Sequence, residues 1–275
     1  MIHVDKIERW SEIPPMDFIL DGATTTKEKI ERAIDALKHL PINGCITGSI
    51  WLPGFDPDLW GSTPDIDVFV YSEQDLIQAL TIAEHALDMK PGTGSDRSEK
   101  QERWKLDRLR KAGLNYKLGI TTYKFYSCGV VVNFTFKQVK EHGRWVPITN
   151  APAVLSSFDM SIVLQAYDIK SGVMFDLRPD NVDVKVAIPN PLRDADCMMW
   201  TVSKWVRQFD RVVKYWDRGF DTRPMAEFYL RMIDECIEAG CLFDSEESQE
   251  AFTAFADEFL DKRRIIADWL DSKEE

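Results

Sequence analysis

Residues Gly44 to Tyr71 read GCITGSIWLPGFDPDLWGSTPDIDVFVY. An apolar run, Cys45-Ile46-Thr47, ends in Gly48-Ser49. A loop with Gly, Pro and Trp follows, and then Pro64-Asp65-Ile66-Asp67-Val68-Phe69-Val70. The second run alternates, which predicts a strand with Asp65 and Asp67 on one face and Ile66 and Val68 on the other. Like charges that close repel each other, and a divalent cation is the usual reason to hold two carboxylates together.

Working outward, residues 1–25 are mixed and punctuated by Pro14-Pro15 and Asp21-Gly22, which predicts a short strand or irregular lead-in. Thr24-Thr25-Thr26 opens a helix with Ile30, Ala33, Ile34 and Leu37 on one stripe, ending near Pro41. Strands are expected at 44–49 and 65–71. Ser72 with Glu73 and Asp75 starts a helix over 73–88. Pro91-Gly92-Thr93-Gly94-Ser95 lacks the Lys-Ser/Thr of a phosphate-binding P-loop and reads as a plain loop. The basic stretch 98–112 reads as a helix. Runs at 117–126 and 129–138, joined at Ser127-Cys128-Gly129, predict a hairpin with Val130, Val132, Phe134 and Phe136 on one face. Residues 141–151 read as loop, and a short helix is expected around 153–156. A second strand pair is expected at 160–167 and 173–177, and a further strand at 182–188. Beyond Pro189 and Pro191 the spacing is helical over 194–216, 223–239 and 246–269. The expected fold class is α+β: a mixed β-sheet core flanked by helices over residues 1–189, then an α-helical region over 190–275.

The 275-residue chain is 44% hydrophobic and 29% charged, ordinary for a globular protein with a sizeable core. Its formal net charge of -12 disfavours binding to a long nucleic-acid duplex. Ten Lys or Arg against four acids between Lys90 and Lys124 make a locally basic patch, which suits a phosphate-bearing small ligand. Five scattered Cys with no CxxC argue against a structural zinc site and for a reduced, cytoplasmic setting. No apolar run approaches a membrane span of ~20 residues, and no signal pattern opens the chain.

Gly-Ser, a spacer and Asp-x-Asp on the next strand resemble the polymerase β-like nucleotidyltransferase superfamily, here through Gly48, Ser49, Asp65 and Asp67. Phe158-Asp159, Tyr167-Asp168 with Gly172, and Lys214-Tyr215-Trp216-Asp217-Arg218-Gly219-Phe220 extend the likeness to viral and phage nucleotidyltransferase-like proteins, over about residues 26–220. The resemblance implies a Mg²⁺-dependent enzyme that moves a nucleoside monophosphate from an NTP to a hydroxyl of RNA, protein or a small molecule. Ser49 would hold phosphate beside Gly48, and Asp65 and Asp67 would hold metal. Lys214 and Arg218 would reach the triphosphate. The superfamily's third carboxylate is expected on the strand that here reads Val131-Val132-Asn133-Phe134, so Asn133 is a departure, and Asp159 is the substitute candidate for activating the acceptor. The spacer between Ser49 and Asp65 is also long. Were catalysis lost through Asn133, the fold would serve as a binding or assembly module, with the acidic helices of 221–275 docking a protein partner. Trp51 and Trp60 either stack on a base or pack the long loop.

Overall fold

The computed structural model describes residues 13–61, 64–92, 119–192, 202–238 and 264–272. The helix expected over 98–112, and most of that expected over 246–269, lie outside these residues. The described chain forms two compact units, one within residues 1–155 and 163–177, the other within 156–162 and 178–275. The chain therefore passes between units at 155, 162 and 177, whereas its composition changes at Pro189–Pro191.

The first unit is built on an eight-stranded mixed sheet: β1 (Gly44–Thr47), β2 (Ile66–Val70), β3 (Lys90–Pro91), β4 (Ile120–Ser127), β5 (Val130–Glu141), β6 (Arg144–Pro147), β7 (Gln165–Asp168) and β8 (Val173–Asp176). The strand order is β3-β4-β5-β2-β1-β7-β8, with β6 pairing the far end of β5. Among the described residues, only β2 and β5 run parallel in the sheet; the other strand pairs are antiparallel. Helices α1 (Met16–Leu20), α2 (Thr26–Lys38) and α3 (Glu73–His85) belong to this unit, and the short α4 (Ala151–Ser156) closes its first segment. The lead-in is thus helical over Met16–Leu20, where neither a strand nor an irregular run forms.

The alternation in β2 and β5 decides which face the helices cover. Ile46, Ile66, Val68, Val132, Phe134 and Phe136 form one core with Ile30, Ala33, Ile34 and Leu37 of α2 and Leu76, Ala79, Leu80 and Ala83 of α3. Burial of each larger side chain among these stabilises by roughly 2 kcal/mol relative to exposure. Both helices start where their caps dictate. Thr25 accepts from the Glu28 N–H while the Glu28 carboxylate reaches back, and Ser72 accepts from the Asp75 N–H. Asp58, from the long loop after β1, also accepts from the N–H groups of Thr26 and Lys27, tying that loop to the start of α2. The remaining side chains of the strands, Asp65, Asp67, Phe69, Asn133 and Lys124 among them, point to the opposite face.

The β4–β5 hairpin turns at Cys128-Gly129, both at positive φ (46° and 85°). β6 forms inside the stretch expected as loop, through a second turn at His142-Gly143. No strand forms over 182–188; that segment makes only a single parallel bridge, Val186 to Asp221.

The second unit is helical. Helices α5 (Val202–Asp217) and α6 (Arg223–Glu238) bury Trp205, Phe209, Val212, Tyr229 and Ile233, and Trp216 meets Trp269 of a last helix, α7 (264–272), edge to face at 4.7 Å. The chain is therefore α+β, a helix-flanked mixed sheet with a helical C-terminal part.

Candidate functional site

β1 ends at Thr47, and the chain turns sharply at Gly48, whose φ of 101° and ψ of −164° are accessible only to glycine. Ser49 begins a short 3₁₀ turn over Ser49–Trp51. Thr47 pairs with Asp67 across the β1–β2 ladder, so the turn lies beside that carboxylate. A Cβ at Gly48 would stand 2.7 Å from Asp67 Oδ2, which makes this the close approach that glycine permits. The glycine-serine corner and the second acid of Asp-x-Asp are thus neighbours.

The ladder continues in the same row. Asp67 pairs with Asn133 on β5, and Asn133 with Lys124 on β4. Directly opposed residues share a face, so Lys124, Asn133, Asp67 and Thr47 form one line across four strands, with Asp65 two residues before Asp67 on the same face. Asn133 Nδ2 donates to Asp65 Oδ2 at 3.0 Å and to Asp67 Oδ1 at 2.9 Å. Lys124 Nζ donates to the same Asp65 Oδ2 at 2.9 Å. The hydrogen bond to Asp65, against a desolvation that works the other way, holds the Lys124 ammonium above its usual range. The Asp65 side chain is 34% exposed and that of Lys124 41%, so this end of the row meets solvent. Asn133 is buried, and its Oδ1 makes no hydrogen bond among the described residues.

The donor set fits one hard cation. Two carboxylate oxygens converge on a single point about 3 Å from each, now taken by Asn133 Nδ2, and oxygen is the ligand that Mg²⁺ and Ca²⁺ select. Turning the Asn133 amide over would bring its orphaned Oδ1 beside both carboxylate oxygens, where a cation drawn between the three would meet a third oxygen. Among the described residues no three His, Cys, Asp or Glu side chains gather as a metal group. The third position is therefore an amide, and the row carries one cation of its own in Lys124.

Asp168 shares this face, since Cys45 pairs with Phe69 on one side and Asp168 on the other. It is enclosed. Its Oδ2 accepts from Tyr71 Oη at 2.6 Å, and its Oδ1 accepts from the Ser171 N–H and Oγ at 2.8 Å each. Burial pushes this carboxyl up, but the hydrogen bonds from Tyr71 and Ser171 outweigh it and hold the carboxyl below its ordinary value. The motif Tyr167-Asp168 with Gly172, at φ 68°, is thus the cap of the β7–β8 turn. Burial also pushes the neighbouring Cys45 thiol up to about 12, which keeps it neutral.

Asp159 lies in the second unit. Its Oδ2 accepts from Arg211 Nη1 at 2.6 Å and from Tyr229 Oη at 3.2 Å, and Tyr229 also contacts Gln208 Oε1 at 3.2 Å. Desolvation works against the Arg211 charge, and the Asp159 carboxylate outweighs it. Lys214 and Arg218 belong to the same unit. With Arg211 they surround the buried Tyr215 ring at 5.9–6.0 Å from its centre, a cation–π cluster at the end of α5. Gly219, at φ 83°, ends the helix.

Trp51 packs against the core and donates its indole N–H to the Ile46 carbonyl at 2.9 Å, while Trp60 stands edge to face with Phe55. Both hold the long loop. A groove of about 640 Å³ between this loop and α2 is lined by Trp51, Phe55, Lys27, Arg32, Asp35 and Lys38.

Lys124 is the residue that sequence reasoning missed, counted only as one of the bases before β5. A tight turn at Cys128-Gly129 sets Lys124 opposite Asn133, and that pairing was available from the hairpin alone.

No family model and no curated relative matches the chain. Among solved structures, "The structure of CCA-adding enzyme apo form II" is similar over 89% of this chain and 55% of its own length, with a TM-score of 0.41 and 11% identity. This chain spans about half of that protein, and a likeness so slight identifies neither family nor activity. No helix among the described residues is long and apolar enough to cross a membrane.

Proposed function

We propose that the protein is a Mg²⁺-dependent nucleotidyltransferase, moving a nucleoside monophosphate from an NTP to a hydroxyl acceptor. The observation that carries this reading is the contact of the Gly48 turn with Asp67, on a strand that also presents the part-exposed Asp65. In such a transfer the acceptor oxygen forms a bond to the α-phosphorus, the bond from that phosphorus to the bridging oxygen breaks, and pyrophosphate leaves with the electron pair. The acceptor's proton passes to solvent. Gly48 lets phosphate approach the backbone, and the Ser49 hydroxyl and N–H offer donors to a phosphate oxygen. Asp65 and Asp67 would hold the cation, with the Asn133 amide oxygen as a third donor. A cation there supplies charge neutralisation for the phosphates and the leaving pyrophosphate. Asp159 remains a proposed acceptor-activating residue on the strength of the sequence pattern alone; its Oδ2 accepts from Arg211 and Tyr229. Lys214 and Arg218 remain proposed triphosphate contacts on the strength of the motif alone, and the cytoplasmic setting rests on the cysteine pattern.

A second reading is favoured by Asn133 itself. An amide in register with Asp67 cannot act as a base, and with Lys124 it already satisfies both acids. On that reading the protein is a binding or assembly module, with a protein partner on its acidic C-terminal region.

Incubation with α-labelled NTPs and Mg²⁺ separates the two, using RNA, protein and small hydroxyl compounds as acceptors. Label transfer by the wild type and its loss in Asp67→Ala is the expected result. Absence of transfer or NTP turnover from both proteins, across all acceptors, rejects the enzyme and leaves the module.

A further inference from the structure

The row on the sheet carries two negative charges and one positive charge that is not locked in place. Lys124 and Asn133 meet on one oxygen, Asp65 Oδ2. A cation bridging Asp65 and Asp67 would need that same oxygen, or would stand within a few ångströms of the ammonium that holds it. Two positive charges at such a distance repel, which favours the departure of one. Lys124 is the group able to go: its charge ends a flexible four-carbon stem, and its side chain is 41% exposed. Asn133 is buried on β5 and can only turn its amide over.

We infer that Lys124 is the site's internal counter-cation, which a divalent ion must displace from Asp65, so that Lys124 sets the cation affinity of the site. This rests on the reading that Asp65 and Asp67 hold a cation. Without the ion, Lys124 neutralises the acids and the amide bridges them. With the ion, the ammonium swings out and is free to meet an anionic oxygen, such as that of a phosphate. The site therefore takes a free divalent ion weakly and takes it with a polyphosphate more readily, because the polyphosphate receives the released ammonium.

The test is Mn²⁺ binding, read from the free-ion electron paramagnetic resonance signal, to wild type, Lys124→Met and the double variant Lys124→Met/Asp65→Asn. Removing a unit charge a few ångströms from the ion is expected to tighten Mn²⁺ on the order of tenfold. The double variant is expected to lose that gain. A Lys124→Met protein that binds Mn²⁺ no more tightly than wild type overturns the inference. Should Lys124→Met fail to fold, the wild type supplies the second measurement. Acylation of the Lys124 amine by acetic anhydride, quantified by mass spectrometry, is expected to rise several-fold at saturating Mn²⁺, and an unchanged yield overturns the inference equally. The labelled-NTP assay keeps the two readings apart. Tighter Mn²⁺ in Lys124→Met with no label transfer by any variant upholds the counter-cation and rejects the transferase. Label transfer by wild type with unaltered Mn²⁺ affinity in Lys124→Met does the reverse.

Discussion

Asp67 and Asp168 stand on the same face of the same sheet, yet their surroundings give them opposite characters. Asp168 is closed in by a tyrosine hydroxyl, a serine hydroxyl and a backbone N–H, all fixed by the β7–β8 turn and β2. Asp65 and Asp67 both accept from a buried amide, and Asp65 also from a lysine that reaches in from a partly exposed position. Asp159, in the helical unit, sides with Asp168: it is 7% exposed and paired with Arg211. We read a carboxylate enclosed in this way as part of the scaffold, whereas Asp65 shares its oxygen with a lysine on a flexible, partly exposed stem. The enclosure of Asp168 and Asp159 and the exposure of Asp65 come from their surroundings and not from their motifs.

Mutation probes this division. The largest effect is expected from Asp159→Ala, which strands Arg211 and should cost about 3 kcal/mol in urea unfolding of the whole chain. A loss well under 1 kcal/mol would move Asp159 out of the scaffold group. Asp168→Asn should cost about 2 kcal/mol at neutral pH, since it replaces the charged acceptor of three hydrogen bonds. The sign of its pH dependence follows from the folded carboxyl lying below the ordinary value of 3.8. Its stabilisation is complete above that value and disappears as the pH falls through the lower, folded one. The gap between wild type and Asp168→Asn should therefore narrow below about pH 4 and stay constant above about pH 5. A gap independent of pH would show that the charge of Asp168 contributes nothing.

Gly48→Ala sharpens the other side. The backbone there disfavours any L-residue, and the new methyl would meet the Asp67 carboxylate. A cost of about 1–2 kcal/mol is expected, together with loss of NTP binding by calorimetry. Retained NTP affinity in a folded variant would detach the glycine corner from the site. Asp67→Asn should be the mildest, within about 0.5 kcal/mol of wild type, because it relieves repulsion with Asp65 as it loses a charge. The same variant should abolish label transfer, and a large stability loss instead would place Asp67 with the scaffold acids.

The strands of the first unit were legible in sequence where alternation was strict. Val130, Val132, Phe134 and Phe136 point into the core as their spacing requires. β6 was not, because Arg144-Trp145-Val146-Pro147 is short and carries no such alternation. It exists as a strand because β5 runs on past its neighbours and offers an unpaired edge. The segment 182–188 fails in the opposite sense. Its apolar residues alternate, but it has one bridging partner and no ladder. The glycine-serine corner beside an acid was readable because all its parts lie within one strand–loop–strand unit. The commitment of Asp159 was not, since Arg211 and Tyr229 come from helices 52 and 70 residues away.

What the sequence determined by itself is local and periodic: the alternation of β2 and β5, the caps of α2 and α3, the glycine at the end of β1, and two acids on one face of a strand. These follow from backbone sterics and from side-chain spacing, both of which act over a few residues. The tertiary structure decided which acids are enclosed, which amide bridges them and which lysine reaches Asp65. Those depend on strand order and register, and they are settled by packing among residues far apart in the chain.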